Sequence, residues 1–167
     1  MADQKLILGI DPGLNTTGYG ILDIGGNEPV MVEAGVIRSK RRDSLEQRLK
    51  SIHDGVADVL SSFAIETMAV EELYSHYERP TTAIVMGHAR GVICLAAGVK
   101  RIPVSPYAAT QVKKMLTGNG RAPKAQVQMA ITRILSLAEI PDPPDVADAL
   151  AIAMCHYYLA QRPASLS

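Results

Sequence analysis

The feature that most constrains the fold of this chain is a change of apolar period near residue 44. Before it lie three strand-like runs, 5–11 (Lys-Leu-Ile-Leu-Gly-Ile-Asp), 17–24 (Thr-Gly-Tyr-Gly-Ile-Leu-Asp-Ile) and 30–38 (Val-Met-Val-Glu-Ala-Gly-Val-Ile-Arg). Pro12-Gly13 and Gly25-Gly26-Asn27 separate them. Links this short join antiparallel neighbours, which makes the segment a meander. After it, Leu45, Leu49, Ile52, Val56, Val59 and Leu60 recur at helical spacing, behind Ser44 and Gln47 at the positions of a capping box.

Strand and helix then alternate. A strand is predicted at 67–73, a helix at 81–98 and a short strand at 102–105. Helices follow at 107–116 and 124–137, divided by Gly118-Asn119-Gly120. The last helix opens at Pro143-Pro144, with Asp142 in the cap position, and runs to about Gln161. A three-strand antiparallel meander followed by parallel strands and helices specifies an α/β fold with a five-stranded mixed sheet flanked by helices. The ribonuclease H-like fold is one of the few with this order. The expected organisation is a single domain over residues 1–162 and a short flexible tail at 163–167.

Apolar residues make up 47% of the chain and charged residues 20%, a globular balance. No apolar run approaches the roughly 18–20 residues needed to cross a bilayer, and the N-terminus has no signal-peptide pattern. Cys94 and Cys155 fall in apolar helical patterns and read as buried free thiols. The expectation is a cytoplasmic protein with no membrane contact. The zero net charge conceals an uneven distribution: −5 over residues 1–75, +8 over 76–135 and −3 over 136–167. A basic middle between acidic ends suits a polyanion on one part and cations on the other, although a scattered solvated surface gives the same totals.

Acids stand in three separate places. Asp11 ends the first strand beside a Pro-Gly turn, where an Asp also serves as a plain turn cap. Glu71 and Glu72 follow Met68-Ala69-Val70, and alternation along a strand lets only one of them point where Asp11 points. Asp145 and Asp148 share a helix face. A first-turn dipole role explains Asp145; Asp148 sits in an otherwise apolar run and requires a partner. If the three groups converge, their mutual repulsion calls for cations, and oxygen ligands beside phosphate suit Mg²⁺ or Mn²⁺, two ions being the usual device for phosphodiester cleavage. The four histidines (His53, His76, His88, His156) are scattered and show no zinc spacing.

Several motifs together resemble one family. Ile7-Leu8-Gly9-Ile10-Asp11-Pro12-Gly13 with Thr17-Gly18-Tyr19-Gly20 resembles the opening signature of the RuvC Holliday junction resolvases. Ala69-Val70-Glu71-Glu72-Leu73-Tyr74, Gly87-His88-Ala89-Arg90-Gly91, Tyr107–Lys113, Lys124–Gln128 and Asp145–Ala153 resemble their later motifs in the same order, from about residue 5 to 160. The resemblance implies a homodimeric, divalent-metal-dependent endonuclease that cuts four-way DNA junctions symmetrically. Its nicks would carry 5′-phosphate and 3′-hydroxyl ends, and it would act with the RuvA–RuvB branch-migration complex. It implies Asp11, Glu71, Asp145 and Asp148 as the catalytic, metal-binding set, with Glu71 rather than Glu72 as the family acid.

The resemblance also places Lys113 and Lys124 near the scissile phosphate, and Tyr74 where the family often has a Phe that enters the junction centre. The dimer surface it implies is the helix at 81–98. The stretch 75–86 departs from the family pattern: Glu78-Arg79-Pro80 stand where a lysine and an asparagine are common, which puts sequence preference in doubt.

In this light the basic middle reads as a DNA surface: Lys113, Lys114, Arg121 and Lys124 rim the 118–120 loop, the 124 helix start adds phosphate donors, and Arg79 belongs to the atypical stretch. Arg38, Lys40, Arg41 and Arg42 form a second cluster that fits a junction arm or a solvated turn equally well. A sugar-kinase or actin-like ATPase shares the opening strand and Gly-rich hairpin but closes around ATP with two such domains. A non-catalytic DNA-binding protein has no need of four acids. A ribonuclease H-like nuclease acting on RNA–DNA hybrids or stem-loops is the nearest rival.

Overall fold

The computed structural model describes residues 3–73 and 79–161. Five strands form one sheet: β1 (Leu6–Asp11), β2 (Thr16–Asp23), β3 (Val30–Arg38), β4 (Ile65–Glu71) and β5 (Val104–Tyr107), in the order β3-β2-β1-β4-β5. β1 pairs antiparallel with β2 and parallel with β4, β2 antiparallel with β3, and β4 parallel with β5. This is the ribonuclease H-like arrangement that the element order predicts. Five helices cover the sheet: α1 (Leu45–Ser62), α2 (Pro80–Val99), α3 (Ala109–Thr117), α4 (Lys124–Ile134) and α5 (Pro144–Ala160).

Side-chain alternation divides the core in two. Leu6, Leu8, Ile10, Ile21, Met68 and Val70 point to one face and pack under α1 and α2 with Ile52, Val56, Ala89 and Ile93. Ile7, Leu22 and Ala69 point to the other, under α3, α4 and α5. α5 is buried nearly all round, from Val146 to Cys155, which explains its continuous apolar run.

On that second face three strand glycines form a floor. Gly9 is paired with Gly20, and Gly18 with Asp11. A Cβ on Gly9 would overlap the Ala149 carbonyl, one on Gly18 the Asp145 carbonyl, and one on Gly20 the Leu150 side chain. The strands therefore have hydrogen atoms where α5 crosses, and the alanine-rich helix lies almost on the sheet backbone.

Several boundaries differ from the sequence expectation for a shared reason. β5 begins at Val104, not 102, because the turn that closes α2 after Val99 runs through Ile102. Arg101 takes a left-handed conformation (φ 58°), its N–H bonds to Gly98 O at 3.0 Å, and Ile102 N bonds to Ala97 O at 3.0 Å. α4 stops at Ile134, not 137, by the same device: Ser136 is left-handed (φ 51°) and Leu137 N bonds to Thr132 O at 2.9 Å. Ser44 takes the N-cap position of α1 as predicted but makes no side-chain capping bond, and the cap residue of α5 is Pro143, not Asp142.

Cys155 is buried, while Cys94 is only half-buried. α2 also corrects the reading of apolar runs. It is 20 residues long with a mean hydropathy of 1.5, apolar and long enough to cross a membrane, although broken in sequence by His88 and Arg90. One side of it, through Ala89, Ile93, Ala96 and Ala97, belongs to the core; Ile84, Leu95 and Val99 are exposed.

Candidate active site

Asp11 and Glu71 end neighbouring parallel strands. Ile10 pairs with Val70, so the two acids follow at the same level, on the α5 face. The carboxyl ends of parallel strands are where open α/β sheets bind ligands. α5, seated on the glycine floor, brings Asp148 to the same place. Asp11, Glu71 and Asp148 line one cavity of about 290 Å³, with Lys113 of α3 and Lys124 of α4 on its rim and Ala109, Val112, Val127, Ala151 and Ile152 as apolar walls. Asp145 lies outside the cavity lining. Its backbone sits over Gly18, the register partner of Asp11, and its charge reaches Asp11.

The electrostatics follow from crowding acids in a poorly solvated place. Burial, then the neighbouring Glu71 charge, hold the Asp11 carboxyl well above the ordinary carboxylate range. Glu71 is also raised by burial, opposed first by a hydrogen bond with Asp11 and then by Lys113 and Lys124. Lys124 Nζ stands 3.0 Å from Asp148 Oδ2, and this bond raises the lysine pKa.

Among the described residues no three His, Cys, Asp or Glu side chains are drawn together closely enough to enclose a metal ion. Lys124 supplies one positive charge to this group, at Asp148. The donor set nonetheless fits a hard divalent cation: all-oxygen, acidic, partly withdrawn from water, and already attracting positive charge.

The other sequence-selected residues fall around this cavity or outside the described chain. Lys114 and Arg121 are exposed beside the loop closing α3, where Gly118 is left-handed (φ 79°) and Arg121 N bonds to Asn119 Oδ1 at 2.9 Å. Lys124 is the first residue of α4. Arg79 is exposed at the start of α2, and Tyr74 lies outside the described residues. His156 is structural: Tyr107 pairs in register with Glu71, and its hydroxyl is 2.6 Å from His156 Nδ1. Sequence reasoning missed Arg90, whose Nε donates to the backbone carbonyl of Glu71 at 3.3 Å. The available signal was that Arg90 is the single formal charge in α2.

A sheet of this order, with carboxylates at the ends of β1 and β4 and lysines on the rim, defines a ribonuclease H-like nuclease. The family model for crossover junction endodeoxyribonuclease RuvC matches residues 7–156, and the chain belongs to that family of hydrolases. It is 56% identical over 157 residues to the crossover junction endodeoxyribonuclease RuvC of Rhodopirellula baltica, covering 94% of this chain and 88% of that protein. It is 44% identical over 151 residues to that of Desulforamulus reducens, covering 90% and 92%. Among solved structures it is similar to T. thermophilus RuvC in complex with Holliday junction substrate, with TM-score 0.84, 33% identity and coverage of 93% and 94%.

Proposed function

We propose that this chain resolves Holliday junctions: a homodimer that makes symmetric nicks in a four-way DNA junction during recombination and repair, leaving 5′-phosphate and 3′-hydroxyl ends. The observation that carries the reading is the joint lining of one cavity by Asp11, Glu71 and Asp148 beneath Lys113 and Lys124. In this reading Asp11, Glu71, Asp145 and Asp148 hold Mg²⁺ or Mn²⁺, two ions per site. When bound, the ions supply positive charge to the reacting phosphate and acidify the attacking water.

The chain's own residues do the rest. Lys113 and Lys124 attract and orient the phosphate oxygens, Lys124 moving its hydrogen bond from Asp148 to the substrate. The apolar walls limit water around the reacting group. The Arg90 bond to the Glu71 carbonyl fixes the end of β4, and with it the Glu71 carboxylate. Lys114, Arg121 and Arg79 follow the backbone of the arms, and Tyr74 stacks at the junction centre.

The exposed apolar side of α2 supports dimerisation there, with Ile84 62%, Leu95 57% and Val99 70% exposed. Residues 1–162 act as one domain in the cytoplasm, with a RuvA–RuvB complex as partner. A mobile synthetic four-way junction, incubated with and without divalent metal, tests the reading when the ends of each strand are mapped. Paired, ligatable nicks that require metal are expected. Equal cleavage of an RNA–DNA hybrid or a linear duplex would overturn it.

A further inference from the structure

The cavity takes Lys113 and Lys124 and leaves aside a compact group of four other cations. Arg38, Lys40, Arg41 and Arg42 are all exposed, and among the described residues none is in an ion pair. Their place in the sheet is specific. Asp11 pairs with Gly18, Gly18 with Val36, and Thr16 with Arg38. Arg38 therefore lies at the same end of the sheet as Asp11. By alternation from Val36 it projects on the same face. Two strand spacings across and two residues along put it roughly 12 Å from Asp11. Lys40, Arg41 and Arg42 continue outward from there.

This turn is also fastened to the loop that follows Asp11. Ser39 N donates to Asn15 O at 3.1 Å, and Ser39 Oγ donates to the Leu14 carbonyl. Arg48 of α1 donates from Nε to Ser39 Oγ at 3.1 Å and from its terminal nitrogen to Asn15 Oδ1. The basic turn is thereby held in register with the strand end that carries Asp11.

We infer that the turn Arg38–Arg42 is a second phosphate-binding site. It grips the DNA strand on the side of the cavity opposite Lys113 and Lys124, about two to four phosphates from the one cut. The inference rests on the proposed function, since it takes the cavity as the place of cleavage. Its chemistry is four clustered cations facing a polyanion, with no base readout.

The test combines a Lys40→Ala/Arg41→Ala/Arg42→Ala variant with four-way junctions carrying single neutral methylphosphonates near the cut. The variant should bind the unmodified junction about tenfold or more weakly, and its salt dependence should be shallower by about two to three in log–log slope. Cleavage at saturating enzyme should stay within about threefold. Methylphosphonates in the stated window should weaken the wild type and not the variant. Arg41→Lys/Arg42→Lys should keep the wild-type slope, which separates lost charge from a damaged fold. An unchanged slope in the alanine variant, or equal methylphosphonate losses in both proteins, would overturn the inference. If the wild type binds junctions without metal-dependent cleavage, the active-site reading falls while the slope comparison still reports on the turn.

Discussion

The two faces of the sheet are packed differently. Under α1 and α2, Leu8, Ile10, Ile21, Met68 and Val70 fill the space with large, fully buried side chains. Under α5, the strands present Gly9, Gly18 and Gly20, and the helix crosses them at Asp145, Ala149, Leu150 and Ala153. Both faces bury large apolar side chains, the second through Leu22, Ile131, Leu150 and Met154. At its glycines the second face gives up area and gains proximity, because a helix on a glycine floor can set Asp148 beside Asp11 and Glu71. Both sides of the sheet hold the fold, and the second also holds the chemistry.

The largest test of that division is on the chemistry side. Asp11→Asn or Asp148→Asn should lower junction cleavage by about 10³-fold or more while junction binding persists, measured by single-turnover nicking and gel shift on the same preparations. A variant that cleaves at the wild-type rate would break the comparison. Lys113→Ala and Lys124→Ala should come next, with slower cleavage and a salt slope shallower by about one for each lost phosphate contact.

The two faces can then be set against each other directly. Leu8→Ala should cost about 2–5 kcal/mol in denaturant unfolding, yet keep near-normal cleavage per folded molecule at low temperature. Gly9→Ala should cost about 1–3 kcal/mol, because the new methyl forces α5 off the sheet, and should reduce cleavage in the molecules that do fold. If Gly9→Ala is as active per folded molecule as Leu8→Ala, the glycine floor does not set the carboxylates.

The smallest effect concerns pH. The raised Asp11 and Glu71 carboxyls keep protons in the folded chain that the unfolded chain has lost above about pH 4. In that range the folded state binds more protons, so without divalent metal stability falls as pH rises through these groups. Asp11→Asn removes the larger part of this penalty and should raise Tm in chelator by about 2–4 °C near neutral pH. A lower Tm for the variant would reverse the sign.

Much of this was legible in the sequence. The period change at residue 44 gave the strand and helix order, and alternation along 67–73 allowed only one of Glu71 and Glu72 to face Asp11. What escaped had no local signal. The ends of α2 and α4 close on Arg101 and Ser136 in a left-handed conformation that usually announces itself as glycine. The strand glycines read as part of a motif, and their purpose appears only once α5 lies across them. The Arg90 bond to Glu71 and the Ser39–Arg48–Asn15 network join residues 9 to 33 positions apart, outside the periodic spacings of helix and strand.

The most direct test of convergent carboxylates is Mn²⁺ binding followed by paramagnetic resonance in the absence of DNA. The account predicts one or two ions bound per wild-type chain, with affinity lost in Asp11→Asn, Glu71→Gln and Asp148→Asn alike. Undiminished Mn²⁺ binding in all three variants would contradict it.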